Sequence, residues 1–288
     1  MRIGASLQPV VGLGVNPYDP DGARARHLAA IRDLVQRGAQ VVELGLDFVS
    51  IYPTVFEASF FAQVAKLGAE LDCVFTAHLP FLWMDPSSLV PEVREATLAC
   101  LRRAVEALGD LTVESYVLHP TGPLADQAYS VLPPAAAAMF VGVMMGELER
   151  TVLSLLDLVP AELLCLENLE TVPFEEYVLP LVKEHDLSVC LDVGHLPFQG
   201  LRAEDLIGTC FDRIREVHLH DVTRRIIGNR CVIVTDHQAL GTGERPYGDI
   251  LRLLRERQFA GCVIVENDVA EATFASLQAL RDDGWLAG

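Results

Sequence analysis

Two spacings of apolar residues alternate along this chain, and the alternation constrains its fold more than any other feature. Short apolar runs lie at residues 2–7, 40–44, 73–77, 115–118, 163–166, 188–191, 214–219 and 262–265, each followed by a longer stretch with helical spacing. Runs of four to eight apolar residues are typical of buried strands, and apolar positions three or four apart are typical of helices. The sequence therefore predicts eight strand–helix units, the repeat of a (β/α)8 TIM barrel.

The predicted barrel accounts for residues 1–288 as a single domain, with an irregular loop or hairpin insertion at about 222–245 after the seventh strand. Residues 225–234 within that insertion are typical of a hairpin that turns at Gly228 and Asn229. A doubly wound open sheet is the alternative, but it requires a glycine-rich phosphate turn after the first strand. Residues 8–14 lack the third glycine and the helix start of that turn, so the barrel is favoured.

Composition disfavours a disordered or membrane-spanning chain. The hydrophobic content of 51% in 288 residues allows a large core, yet no run approaches the roughly 18 consecutive apolar residues of a membrane helix. The N-terminal residues begin a strand without a signal-peptide pattern, which predicts a cytoplasmic protein. The seven cysteines are scattered and several lie in predicted strands, which disfavours a disulfide framework or a cysteine-based zinc site.

The net charge of −18 makes nucleic acid a poor partner. Proteins that bind polyanions need basic patches, whereas here 22 Lys and Arg stand against 40 Asp and Glu. A soluble surface explains most of these carboxylates. A minority of them is available to hold cations.

Residues of the types that commonly bind metals follow the predicted strands. The run at 188–191 leads directly into Asp192 and then His195, and the same pattern recurs at the ends of other strands. The residues that share it are His78, His119, Glu167, Asp192, His195, His218, His220, His237 and Glu266. Because the carboxyl ends of barrel strands meet at one mouth, these side chains are predicted to converge on a metal site. The other histidines, His27 and His185, fall in helices and are predicted to lie at the surface.

The ligand types narrow the choice of metal. Imidazoles with carboxylates favour Zn or Mn, with Fe or Co as further options, whereas Mg and Ca prefer oxygen-only shells. The candidate ligands exceed what one tetrahedral ion can use, so a second ion is predicted. Two ions about 3.5–4 Å apart stabilise the attacking and leaving oxygens in phosphoester hydrolysis.

The strand-end motifs, taken together and in order, resemble the xylose isomerase-like barrels, which include endonuclease IV and many sugar isomerases and epimerases. The motifs are His78-Leu79-Pro80-Phe81, His119-Pro120, Glu167-Asn168, Asp192-Val193-Gly194-His195, His218-Leu219-His220-Asp221, His237-Gln238-Ala239-Leu240-Gly241-Thr242-Gly243 and Glu266-Asn267. The resemblance covers essentially the whole chain. It is specific for the superfamily and less specific for the reaction.

The endonuclease IV-like pattern implies ligands for two or three divalent ions. His78, His119 and Glu167 would bind one ion, and a second would be bound by Glu167, Asp192, His218 and Glu266. His195 and His237 would bind a third, which in that family also takes an Asp two residues before the second histidine. Thr235 holds that position here, and Asp236 is one residue out of register. Sugar isomerases and epimerases imply a single ion on the second set of ligands.

The leading hypothesis is a metal-dependent phosphodiesterase, because a single-ion isomerase has no general need for ligands at both His78 and His119. Two cations would lower the pKa of the water that attacks phosphorus. The predicted catalytic residues are Glu167, His195 and Glu266. The predicted substrate contacts are Trp83, His220, Arg224, Arg225 and Arg230.

The apolar loop at 81–88 favours a bulky, partly apolar phosphoester of a small or medium metabolite as the substrate. The loop also resembles the cobamide-remodelling phosphodiesterases of the superfamily, which cut the nucleotide-loop phosphoester of a cobamide. The main alternative is a divalent-metal-dependent sugar or sugar-phosphate isomerase or epimerase, in which His78 would contact a sugar hydroxyl. An abasic-site endonuclease is disfavoured by the negative charge, and a metal-free binding protein is disfavoured by the nearly complete ligand set.

Overall fold

The apolar runs form parallel strands that close into a barrel in the computed structural model, which describes residues 1–12, 16, 18–227, 230–243 and 247–287. Within these ranges, the side chains of residues 126, 226, 227 and 230–234 lie outside the description. The strands are β1 (Arg2–Ser6), β2 (Val41–Gly45), β3 (Val74–His78), β4 (Tyr116–Leu118), β5 (Leu164–Glu167), β6 (Ser188–Asp192), β7 (Ile214–Leu219), β8 (Asp221–Ile227), β9 (Arg230–Gln238) and β10 (Cys262–Val265).

Eight of these strands close the barrel in the order β1-β10-β7-β6-β5-β4-β3-β2, and every neighbouring pair is parallel. The predicted (β/α)8 TIM barrel is confirmed, and a closed barrel excludes the doubly wound open sheet. Because all eight strands are parallel, their carboxyl ends meet at one mouth of the barrel. β8 and β9 form a separate antiparallel hairpin after β7.

Helices connect the strands around the barrel. They are α1 (Gln8–Val11), α2 (Pro20–Gln36), α3 (Asp47–Ile51), α4 (Ala58–Leu71), α5 (Pro91–Ala107), α6 (Pro123–Val131), α7 (Pro134–Leu155), α8 (Leu179–Glu184), α9 (Ala203–Cys210), α10 (Tyr247–Glu256) and α11 (Ala270–Asp282). A π-helical turn, Phe174–Val178, leads into α8. Among the described residues, no helix combines the length and the apolar character needed to cross a membrane.

The main core lies between the strands and the surrounding helices, where Leu, Ile, Val and Phe side chains are buried. The barrel lumen is more polar. Glu43, Thr76, Glu216 and His218 are all fully buried there. Glu216 accepts hydrogen bonds from the hydroxyls of Thr76, at 3.0 Å, and Ser115.

The structure departs from the sequence-based predictions in the extent of the hairpin, in three short helices and in the burial of His27. The hairpin predicted at 225–234 extends further, because β8 begins at Asp221 and β9 continues to Gln238; its predicted turn, Gly228 and Asn229, lies outside the described residues. The short helices α1, α3 and α6 lie in segments where the sequence predicts loops. The prediction that His27 lies at the surface is wrong: its side chain packs against Phe48, Phe56 and Phe60, and the residue is 4% exposed.

Candidate metal centre

Two histidines and one glutamate converge at the mouth from the ends of three neighbouring strands. His78 ends β3, His119 follows β4, and Glu167 ends β5. The Glu167 Oε2 atom lies 3.4 Å from His78 Nε2 and 3.1 Å from His119 Nε2. The three residues therefore meet at one carboxylate oxygen, as the sequence predicts.

The protonation of the His78 ring suits it for binding a cation. His78 Nδ1 lies 3.0 Å from the carbonyl oxygen of Leu79 and donates to it, so Nε2 is the nitrogen that would present a lone pair to a metal ion in place of a proton. Among the described residues, neither His78 Nε2 nor Glu167 Oε2 has a hydrogen-bond partner, although both are buried. Buried polar atoms are normally paired. Lone pairs that converge without hydrogen bonding to one another fit a shared divalent ion.

A second group shares Glu167 with the first. His218 Nδ1 lies 3.1 Å from Glu167 Oε1, 3.0 Å from Glu266 Oε2 and 3.9 Å from Asp192 Oδ2. The ligand atoms of these four residues all lie within 4.8 Å of one another, and the same holds for His78, His119 and Glu167. Glu167 thus presents one oxygen to each group, which is how a carboxylate bridges two ions.

The carboxylates dominate the electrostatics of the mouth. Burial lowers the pKa of His78, but Glu167 and Glu43 outweigh that effect and raise the pKa to about 10. Burial raises the pKa of Glu167, yet His218 and His119 more than offset this and hold it well below its usual range. The carboxylates that favour protonated rings here would also favour a metal cation, which would compete with protons for the same lone pairs.

Cys190 on β6 lies near Glu167 and His218 and so forms a further group of possible ligands. Burial raises the pKa of its thiol well above the ordinary value. Only the thiolate binds metal, so Cys190 would have to lose its proton to act as a ligand.

Asn168 and Gly194 fix the positions of the ligands on β5 and β6. The Asn168 side chain donates to the carbonyl oxygen of Asp192 at 2.8 Å and accepts from its N–H at 2.9 Å. A Cβ atom at Gly194 would lie 1.9 Å from the His220 ring, so only glycine fits between Asp192 and His195. His195 N–H then donates to Asp192 Oδ1 at 2.8 Å.

His195, His220 and His237 form a further group of histidines at the mouth, called here the outer histidines, while His78, His119 and His218 are the inner ones. The rings of His220 and His237 are stacked, with centroids 4.1 Å apart and planes 7° from parallel. Imidazole lone pairs lie in the ring plane, so stacked rings cannot both direct them at one ion, even though His195, His220 and His237 lie close together. His220 is fully buried, and its Nε2 lies 3.1 Å from Asp192 Oδ1. These contacts favour a role for His220 in orienting Asp192 over contact with substrate.

A β-bulge explains the displaced acidic residue of the predicted third ion. Asp221 pairs with Gln238 and Thr223 with Thr235, so Asp236 and His237 together face one residue of β8. His237 adopts a φ of 48° at this point. Asp236 Oδ1 accepts from the His237 N–H at 2.9 Å and lies 3.2 Å from His220 Nδ1. Asp236 is thus directed towards His220.

His195 presents its ring to the substrate cleft. Its Nδ1 lies 3.0 Å from the carbonyl oxygen of Asn168 and donates to it, and its Nε2 lies 3.4 Å from Glu170 Oε1. Burial lowers the pKa of His195, but Asp192 and Glu170 outweigh it and raise the pKa to about 10. The His195 and His237 rings are 5.7 Å apart and inclined at 67°.

A cleft of about 510 Å³ opens above the two ligand groups. Its described lining is Ser6, Gln8, Pro9, Gly12, Phe81, His119, Glu167, Glu170, His195, His237, Glu266, Asn267 and Asp268. Trp83 is 81% exposed with a φ of 61° and is absent from this described lining. Arg224 and Arg225 are exposed on β8, and the Arg230 side chain lies outside the described residues. The substrate contacts of these four residues stay predictions.

Sequence reasoning missed Glu43, Asn168 and Glu170 as functional candidates. Glu43 Oε1 lies 3.3 Å from His218 Nε2. The Asn168 side chain hydrogen-bonds the backbone of Asp192 and so links the ends of β5 and β6. Glu170 lines the cleft. The sequence did mark Glu43 as unusual, because it is a lone carboxylate inside the apolar run of β2. Nothing in the sequence marks Glu170, because glutamates are common in loops.

A family model for the xylose isomerase-like TIM barrel matches residues 38–283. The chain belongs to this family. It is 24% identical over 234 residues to an uncharacterized protein of Methanocaldococcus jannaschii, an alignment that covers 75% of this chain and 72% of that protein.

Two solved structures of this fold bear names from different reaction classes. A D-tagatose 3-epimerase-like protein superposes with a TM-score of 0.71 at 20% identity, covering 98% of this chain and 96% of its own. An AP endonuclease, family 2, from Brucella melitensis superposes with a TM-score of 0.65 at 16% identity, covering 98% of both chains. Identities this low establish a shared fold and do not decide the reaction.

Proposed function

We propose that the protein is a metal-dependent phosphodiesterase that hydrolyses a phosphoester of a small or medium metabolite. One observation carries the proposal: Glu167 directs Oε2 at His78 and His119 and Oε1 at His218. Two ligand groups that share a carboxylate suit a pair of ions, and a pair of ions suits phosphoester hydrolysis.

The chain's residues would divide the binding of the ions between them. His78, His119 and Glu167 would hold one ion, and Glu167, Asp192, His218 and Glu266 the other. Mixed imidazole and carboxylate ligands favour Zn or Mn, with Fe or Co as further options. When bound, the ions would neutralise charge on the phosphoester and lower the pKa of the attacking water.

His195 and His237 are proposed to contact the substrate. Asp236 is engaged with His220, and Thr235 stands where the family pattern has its acidic ligand, so we propose two ions and not three. Because the His195 Nδ1–H donates a hydrogen bond to the carbonyl oxygen of Asn168, Nε2 is the nitrogen that can carry a proton at the cleft. That N–H could donate to a phosphoryl or leaving oxygen, with Glu170 at 3.4 Å to orient it.

The charge of the chain supports a small substrate over a nucleic acid, because the net charge of −18 opposes a polyanion. An abasic-site endonuclease is disfavoured on this ground. The nucleotide-loop phosphoester of a cobamide is the finer proposal, and it rests on the apolar loop that carries Trp83. The cytoplasmic location predicted from the N-terminal sequence belongs to the same proposal.

The second candidate is a divalent-metal-dependent sugar or sugar-phosphate isomerase or epimerase. The group of Glu167, Asp192, His218 and Glu266 supports it, because it offers four ligands to one ion without His78 or His119. The likeness to a D-tagatose 3-epimerase-like protein points the same way.

Metal content and two parallel assays separate these candidates. The chain is purified without chelator, its ions are counted by elemental analysis, and it is assayed on bis(p-nitrophenyl) phosphate and on D-tagatose. Two ions with diester hydrolysis are expected. One ion with epimerised sugar and an intact diester would replace the phosphodiesterase by the epimerase.

A further inference from the structure

Two carboxylates lie in the barrel lumen beneath the metal centre, where TIM barrels normally pack branched apolar side chains. Glu43 on β2 and Glu216 on β7 are both fully buried. Removing a carboxylate from water costs several kcal/mol unless partners compensate it. Each of the two therefore needs a partner that explains its burial.

Glu216 has such partners and Glu43 does not. Glu216 accepts hydrogen bonds from the hydroxyls of Thr76 and Ser115. Among the described residues, neither carboxylate oxygen of Glu43 has a hydrogen-bond partner. The atom that faces Glu43 Oε1 is His218 Nε2, at 3.3 Å. The two atoms do not hydrogen-bond to each other in the structure, and Nε2 has no other hydrogen-bond partner in the described part of the chain.

The two nitrogens of the His218 ring face different surroundings. Nδ1 is hydrogen-bonded to Glu167 Oε1 at 3.1 Å and lies 3.0 Å from Glu266 Oε2, within the second ligand group. A ring that binds an ion through Nδ1 carries its proton on Nε2. Glu43 Oε1 is the nearer acceptor for that proton, since Glu216 Oε1 lies 3.8 Å away and already accepts from Thr76.

We infer that Glu43 is a positioning residue for the metal centre: when His218 binds an ion through Nδ1, Glu43 accepts the Nε2–H and thereby keeps the ring directed at that ion. The inference rests on the metal binding in the proposed function and is independent of the reaction. Ligating histidines commonly use a carboxylate in this way, and its loss typically costs ~10–100-fold in metal affinity.

A cobalt(II) titration of the full chain, stripped of metal with a chelator, tests the inference. Visible absorption and elemental analysis report the geometry and number of bound ions, and competition with a chelator reports affinity. Glu43→Leu is expected to weaken one ion by about 10–100-fold and to change its absorption bands. Glu43→Gln should lose less, because its amide oxygen still accepts the N–H.

Glu216→Gln is the matched control, since it is equally buried in the same lumen but has hydroxyl partners; its cobalt affinity should stay close to that of the wild type. Thermal melting confirms that each variant is folded, and Glu43→Asp, which keeps the charge but shortens the reach, replaces Glu43→Leu if that variant does not fold. Wild-type affinity in the shortened or apolar variant, or equal losses in Glu43→Gln and Glu43→Leu, would overturn the inference. A wild-type chain that binds no cobalt would overturn the proposed function as well, whereas one that binds a single ion would overturn only the two-ion function.

Discussion

Two sets of buried histidines in this protein have opposite electrostatics. His78 and His195 lie at the barrel mouth among carboxylates, which raise the pKa of each to about 10. His27 on α2 is buried to a similar extent, but it faces Phe48, Phe56 and Phe60. Burial lowers its pKa, and the hydrogen bond to the carbonyl oxygen of Ala23 does not make up the difference.

The comparison shows that the neighbours of a buried histidine, more than its burial, decide what it can do. An imidazole among carboxylates holds a cation, either a proton or a metal ion. An imidazole among phenyl rings stays neutral and acts as part of the core. The mouth histidines are therefore candidates for chemistry, and His27 is a packing residue.

Glu167→Gln is expected to have the largest effect, because it removes the carboxylate charge that both ligand groups share. Both ions should be lost from the purified chain, with a fall in diester hydrolysis larger than the ~10–100-fold typical of a residue outside the ligand shell. Elemental analysis and hydrolysis of bis(p-nitrophenyl) phosphate measure the two effects. Glu176→Gln, at an exposed position, is the control. Retention of both ions with full activity would refute the bridging role.

His119→Ala should remove one ion and leave the other bound. His119 belongs to the first ligand group and not to the group around His218, so one ion should remain bound while diester hydrolysis falls by at least about tenfold. His185→Ala, a histidine paired with Glu149 away from the mouth, should change neither quantity. If the first ion stayed bound without His119, its assignment to this residue would fail.

His237→Ala sharpens the distinction between inner and outer histidines. The stacking of His237 on His220 disfavours a shared ion, so the number of bound ions should stay at two. A KM raised severalfold with little change in kcat is expected if His237 contacts substrate. Elemental analysis and steady-state kinetics measure both, with His185→Ala again as control. A fall from three bound ions to two would instead establish a third ion at His237.

Strand-end chemistry was readable from the sequence because parallel barrel strands share one direction. Once His78, Glu167 and Asp192 were assigned to strand ends, their convergence followed from topology alone, and the confirmed barrel brings them together. Their role as ligands stays a prediction. The spacing could not show that a bulge turns Asp236 towards His220, since a bulge depends on how two strands pair.

The burial of His27 was hidden for a different reason. Its helix has a weak apolar stripe, and a histidine on such a helix reads as a polar surface residue. The three phenyl rings around it come from α3, α4 and the loop before α4, so the pocket exists only in the folded protein. The proximity of Glu43 to His218, with Glu43 Oε1 3.3 Å from His218 Nε2, was hidden likewise, because it spans the barrel lumen from β2 to β7.

The smallest expected effect concerns His27 and the pH dependence of stability. Its folded pKa lies below the ordinary value of 6.5, so the unfolded chain binds more protons at this site as the pH falls. The stabilising contribution is therefore fully present above about pH 6.5 and is lost as the pH falls towards the folded pKa, at no more than about 1.4 kcal/mol per pH unit.

His27→Leu keeps an apolar side chain among the phenyl rings and removes the titration. Urea unfolding at pH 7.5 and 5.5 should show a smaller loss of stability for His27→Leu than for the wild type, while His185→Gln should match the wild type more closely. An equal loss in His27→Leu and the wild type would mean that His27 accepts a proton as readily in the core as in the unfolded chain, and the contrast with the mouth histidines would not hold.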